Sequence, residues 1–192
     1  MTQFRPDLAE WLSSELWPHG VKPDAPKVYA LLDGARDAGI EPLVRNSDAP
    51  FSCLYSGELS ADLSAAAPYL LHLEPHRPYT RQLLEQSWGQ SWGCFAVAPA
   101  YVTLDELRQH FRTLLRVKDP QGNLLVFRFY DPRVLRVYLP TCTAEERRTV
   151  FGPAIRLIAE TGTGNSLISY LADPAGGPSA RVSLLPSADT LP

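Results

Sequence analysis

Eighteen prolines are spread through this chain of 192 residues, and they set the scale of anything it can build. Proline has no backbone N–H and clashes with the preceding helical turn, so it is confined to first turns, loops and strand ends. Many loops and element boundaries are therefore expected, with short apolar runs between them. Such runs read as strands when they hold β-branched and aromatic residues between turn signals. Residues 27–32 (Lys27-Val28-Tyr29-Ala30-Leu31-Leu32) form one, closed by Asp33-Gly34. Residues 51–56, 69–73, 94–98 and 124–130 read the same way, the last being the most hydrophobic.

Helix signals fall between these runs. Leu8, Trp11, Leu12 and Leu16 recur at helical spacing, with Pro6 near the start and Pro18-His19-Gly20 as the stop. Ser60 is placed to cap a short helix that ends before Pro68. Thr80 is expected to cap a helix through Trp88, with Leu83, Leu84 and Trp88 facing inward. Thr103 and Glu106 have the spacing of a capping box, in which each side chain satisfies an orphan backbone N–H. Leu104, Leu107, Phe111, Leu114 and Leu115 then make one apolar stripe. Arg116 and Lys118 are expected near the negative end of that helix. Asp119-Pro120-Gln121-Gly122-Asn123 is a turn. Asp131-Pro132 opens a short helix that Pro140 stops, and Thr143 with Glu146 opens another. Residues 154–160 and 166–171 read as two strands joined by Thr161-Gly162-Thr163-Gly164-Asn165.

The alternation predicts a mixed α/β (α+β) fold. Residues 1–130 are expected to form an α/β lobe. Residues 131–172 form a smaller helix-and-hairpin lobe of the same domain. Residues 173–192, rich in Pro, Gly, Ser and Ala, read as a flexible tail in which residues 182–185 could add a strand.

Composition narrows the function classes. A net charge of -3 offers no basic excess for a phosphate backbone, so nucleic acid is not an expected partner. Asp7, Glu10 and Glu15 interrupt the first apolar segment, so it does not read as a secretory signal. No run approaches the roughly 20 apolar residues of a membrane span. Cys53, Cys94 and Cys142 are isolated among apolar or small residues, which fits buried thiols in a reducing compartment.

Few residues assemble into chemistry. His72 and His76 are four apart, but Pro75 and Pro78 forbid the helix that would bring them together, so no metal site is expected. His19 and His110 read as surface residues. Ser91 lies in Trp88-Gly89-Gln90-Ser91-Trp92-Gly93, which lacks the spacing of a nucleophile elbow and reads as a turn stiffened by two indoles. Gly162-Thr163-Gly164-Asn165 lacks the Gly-Lys-Ser/Thr of a phosphate loop.

Asp33, Arg36 and Asp37 follow the first strand, at the kind of strand end where α/β folds bind ligands. Two readings stand: a catalytic carboxylate pair, or Asp33 capping a turn while Arg36 pairs locally. Arg128 sits in an apolar run, and a buried guanidinium must meet a carboxylate. Asp131 is a helix cap. Arg133 is left over, free to project toward a partner.

Five stretches remain to be taken together. They are Tyr29-Ala30-Leu31-Leu32-Asp33-Gly34-Ala35, Cys53-Leu54-Tyr55-Ser56-Gly57-Glu58-Leu59, Ala67-Pro68-Tyr69-Leu70, Trp88-Gly89-Gln90-Ser91-Trp92-Gly93 and Phe127-Arg128-Phe129-Tyr130-Asp131-Pro132-Arg133-Val134-Leu135. In this order and spacing they resemble the type VI secretion effector-adaptor (chaperone) family, originally catalogued as a domain of unknown function. The resemblance implies a bacterial cytosolic adaptor with no enzymatic activity and no cofactor. Such a protein binds a toxic effector, often near the effector's N-terminus, and helps load it onto a VgrG-type spike. The residue reading puts partner contacts at Tyr130 and Arg133, in a cleft between the lobes, and at Asp33 and Arg36. Two other classes compete: a small-molecule enzyme around Asp33 and Asp37, and an immunity-type protein that binds the toxin's active domain.

Overall fold

The computed structural model describes residues 8–18, 20, 22–119, 121–162, 164–172 and 179–186. Pro6, His19, Pro120, Thr163 and most of the expected tail (173–178 and 187–192) lie outside the described residues. The helices are α1 (Leu8–Leu16), α2 (Ile40–Arg45), α3 (Ala61–Ala65), α4 (Pro78–Ser87), α5 (Leu104–Thr113), α6 (Pro132–Tyr138) and α7 (Ala144–Phe151). The strands are β1 (Lys27–Asp33), β2 (Phe51–Cys53), β3 (Pro68–Leu73), β4 (Gly93–Ala98), β5 (Arg116–Lys118), β6 (Leu124–Val126), β7 (Arg156–Glu160), β8 (Ser166–Leu171) and β9 (Ser179–Leu184). The fold is mixed α/β, as the alternation predicts.

Seven strands form one sheet in the order β2-β3-β1-β4-β7-β8-β9, with every neighbouring pair antiparallel. Alternate side chains of a strand point to opposite faces. On one face Tyr29, Leu31, Leu70, Cys94 and Ala96 pack against Leu107 and Phe111 of α5, Leu135 of α6 and Phe151 of α7. On the other, Val28, Ala30, Leu32 and Leu71 pack against Trp11 and Leu12 of α1, Ile40 of α2, and Leu83 and Leu84 of α4. Covering both faces explains why β1 is apolar without a gap: a half-solvated strand would alternate. Fully burying each valine, leucine, isoleucine or phenylalanine among them contributes about 1.5–3 kcal/mol.

The hairpin β7–β8, assigned from sequence to a smaller lobe, continues this same sheet through the pairing of β7 with β4. Between β4 and β7, residues 99–155 leave the sheet, lay α5, α6 and α7 across one face, and return. Both capping boxes form. Thr103 N–H donates to Glu106 at 2.8 Å and Thr143 N–H to Glu146 at 2.7 Å. Asp131 caps α6 by accepting from the Arg133 N–H at 2.9 Å, with Pro132 in the first turn.

Several expectations need correction. The strand expected over residues 124–130 stops at Val126, and Phe127–Tyr130 turn inward as a loop, because β5 offers only three residues to pair with. Arg116 and Lys118 do not end a helix; they belong to β5. The strand expected over residues 51–56 is only Phe51–Cys53. α4 starts at Pro78, so Thr80 is inside it, buried, donating to the Glu74 carbonyl at 2.7 Å. His110 is not a surface residue: it is half-buried, its ring lies over Gly152, and Nε2 is 3.3 Å from the Val150 carbonyl. Cys94 and Cys142 are buried, whereas Cys53 is only half-buried. β9 takes up part of the segment read as tail. No helix among the described residues is long and apolar enough to cross a membrane.

Candidate functional site

One end of the sheet gathers all five stretches, since the Gly34 N–H donates to the Ala67 carbonyl at 3.0 Å and the Leu54 N–H to that of Pro68 at 2.9 Å. β1 ends there at Asp33, β4 begins there at Gly93, and the loop 127–131 crosses above them. Asp33 is 1% exposed. Its carboxylate accepts the Ala35 N–H at 3.2 Å, capping a single 3-10 turn at Gly34–Arg36, and forms an ion pair with the Arg128 guanidinium. Arg128 therefore meets the carboxylate its apolar surroundings demand. Burial disfavours its charge, but the bond and charge of Asp33, together with the charges of Tyr130 and Asp131, outweigh that and raise its pKa. The Arg128 Nε is buried without a hydrogen-bond partner.

The indole turn is stitched to the same place. The Asp33 N–H donates to the Trp92 carbonyl at 2.8 Å, and Arg36 Nη2 to the Gln90 carbonyl at 3.3 Å. Glu160, at the end of β7, is 5% exposed. Its carboxylate accepts the N–H groups of Gly89 and of Ser91, the latter at 2.7 Å, while Trp88 Nε1 donates to the Gly164 carbonyl at 2.6 Å. Two acceptors thus hold a turn in which Ser91 has a φ of 54°. Backbones approach closely here. A Cβ on Gly34 would lie 2.3 Å from the Ala65 carbonyl oxygen, and one on Gly93 would lie 1.9 Å from that of Leu31. Glycine at both positions is a steric requirement.

The third buried carboxylate is Asp131, 3% exposed. Burial pushes its pKa up, but the Arg133 side chain and backbone N–H outweigh this and hold it below the ordinary carboxylate range. Arg133 grips it through both Nε, at 2.9 Å, and Nη2, at 2.5 Å, and its side chain remains half exposed. Arg136 Nη1 donates to the Glu160 carbonyl. Tyr130 is buried, and burial raises its phenol pKa, as it raises that of the Cys94 thiol below. The cavity beneath, lined by Trp88, Gly93, Cys94 and Glu160, holds only about 10 Å³.

Of the four residues singled out from the sequence, Asp33 and Tyr130 face inward and Arg36 and Arg133 face outward. Arg36 does not pair locally as expected; its hydrogen bond goes to the Gln90 carbonyl of the indole turn, 54 residues away in sequence. Asp37 spends its carboxylate on the Gly39 N–H at 2.7 Å, apart from the Asp33 network. Sequence reasoning missed Glu160. Its one signal is a carboxylate closing the apolar run Leu157-Ile158-Ala159, which needs donors if that end is buried. The result is three satisfied carboxylates below and four guanidiniums, Arg36, Arg128, Arg133 and Arg136, around the rim. No group of three or more His, Cys, Asp or Glu among the described residues is placed to hold a metal ion.

Residues 28–149, more than half of the chain, match the family described as Domain of unknown function (DUF4123). No curated protein and no solved structure matches.

Proposed function

The chain belongs to the DUF4123 family, and from that premise we propose that it is an effector adaptor of a type VI secretion system. It works in the bacterial cytoplasm, holds a toxic effector near the effector's N-terminus, and helps load it onto a VgrG-type spike. No bond is made or broken; the free energy comes from complementary surfaces.

One observation carries this reading. The five family-like stretches converge on one end of the sheet, and there every buried carboxylate is engaged by this chain's own donors. The groups that a hydrolase or isomerase would leave facing a substrate are used to fix backbone. What reaches solvent is a rim of arginines, whose forked donors suit carboxylates and carbonyls of another polypeptide. Rim charges of this kind set register and steer encounter, while apolar contacts supply most of the affinity. Arg36 and Arg133 are the contacts assigned to this rim.

The test is co-purification with the toxin encoded beside this gene. Arg36→Glu with Arg133→Glu is expected to weaken retention about tenfold. Undiminished retention by the double variant rejects these contacts. Retention of the isolated toxic domain, and not of the N-terminal region, replaces the adaptor with an immunity-type protein. Turnover of a metabolite, abolished by Asp33→Asn, replaces it with an enzyme.

A further inference from the structure

A two-stranded hairpin is marginal in water unless one of its faces is covered. The hairpin β5–β6 is covered on neither. All six of its residues are exposed, and four of them are apolar: Val117, Leu124, Leu125 and Val126, with Val126 at 65%. Val117 stands opposite Leu125 on one face, and Leu124 and Val126 share the other with Arg116 and Lys118. An apolar arm with both faces wet is what an interaction site presents before its partner arrives.

Beside the arm runs a groove of about 470 Å³ between β5 and α7. Its floor is apolar: Leu114, Val117, Phe127, Tyr138 and Val150. Phe127 and Tyr138 meet edge-to-face, with ring centroids 4.7 Å apart, so the floor is a rigid aromatic step. The rim is acidic. Glu146 is committed to its capping box, whereas Glu145 stands exposed in the first turn of α7.

We infer that the β5–β6 arm and this groove form a second docking surface, and that its occupant is an apolar segment of the effector carrying a lysine or arginine. The class of partner rests on the adaptor reading above; the surface and the chemistry of the segment rest on the groove. Apolar side chains of the segment enter between Val117 and Val150, and its cation meets Glu145. Burying Leu125 beside Val117 at the same time covers one face of the arm and removes part of the exposure that leaves it marginal. No arginine of the rim lines this groove, so one molecule can grip the effector through two sets of residues. Linked contacts of that kind hold far more tightly than either alone.

The experiment mixes the full chain with the purified full-length toxin encoded beside it and follows hydrogen exchange and affinity. In the free chain the amides of residues 116–126 are expected to exchange fast, and in the complex to slow about tenfold. Leu125→Lys should weaken the complex about tenfold with an unchanged thermal midpoint, and Glu145→Lys about threefold. A complex in which residues 116–126 exchange as before, or which Leu125→Lys leaves intact, overturns the inference and leaves the adaptor reading standing. Self-association of the free chain that Leu125→Lys abolishes also overturns it, because a second copy is then the occupant. Slowed exchange on adding the VgrG-type spike alone, without the toxin, does so too. No complex with the toxin under any condition removes the adaptor reading and the named occupant together.

Discussion

Val28–Leu32 and Leu124–Val126 are both unbroken apolar runs, and the sequence alone reads both as buried strands. The first is 0–2% exposed throughout. The second is 49–65% exposed. Composition does not separate them; neighbours do. β1 is paired on both edges, by β3 and β4, and helices cover both faces. β6 has one partner of three residues and no helix above it. An apolar run states that surface must be covered and is silent on what covers it.

The comparison can be broken most directly at its buried end. Leu31→Ala should lower stability by about 3 kcal/mol, since a large side chain leaves a cavity between β1 and α5, and a urea melt would show it. A loss below about 1 kcal/mol would mean that the two runs are not so different. Next in size is Arg128→Ala, which strands the Asp33 carboxylate. Breaking a fully buried pair costs about 3–5 kcal/mol. The Arg128 side chain is 39% exposed, so about 2 kcal/mol is expected here, measured in the same melts.

A smaller effect comes from pH. His72 lies on β3 against Tyr29, with ring centroids 5.2 Å apart, and His110 is wedged over Gly152. Burial lowers both pKa values, helped for His72 by the charge of Lys27 and opposed by Glu74, and opposed for His110 by its bond to Val150. The unfolded chain therefore binds these protons first. Stability is full above the unfolded value of about 6.5 and falls as pH drops below it toward the lowered folded values. Denaturation midpoints across that window would show the decline, and His110→Gln should flatten it. The smallest effect is expected at the exposed end. Leu125→Ala should change stability by less than about 0.5 kcal/mol, at every pH in that window, because the arm holds no histidine. A large change there would show that the arm is part of the core after all.

What could be read in advance was local. Thr103 with Glu106, Thr143 with Glu146, and Asp131 with the Arg133 N–H each bond within a few residues, so spacing alone places them. The demand for a carboxylate beside Arg128 was equally legible, because it follows from solvation. That the carboxylate would be Asp33 was not, since the two are 95 residues apart and only the sheet brings them together. The same holds for Glu160 and the indole turn, about whose pairing neither segment carries a local sign. α2 escaped notice because Pro42 and Gly39 interrupt its pattern, though proline is tolerated in a first turn. The strand boundary at Val126 was hidden because continuing hydrophobicity marks burial and strand alike, and Phe129 and Tyr130 are buried without being paired.

The return of the chain to β7 beside β4 has a practical corollary. Sheet register depends on where residues 99–155 depart and re-enter, and lengthening a surface loop costs only about 0.6 kcal/mol for each doubling. The bend at Asp119, where one carboxylate accepts the N–H groups of Gln121 and Asn123, is farther from the sheet along the chain than either end of that excursion. That tip can therefore be lengthened or grafted with the seven-stranded scaffold left as it is.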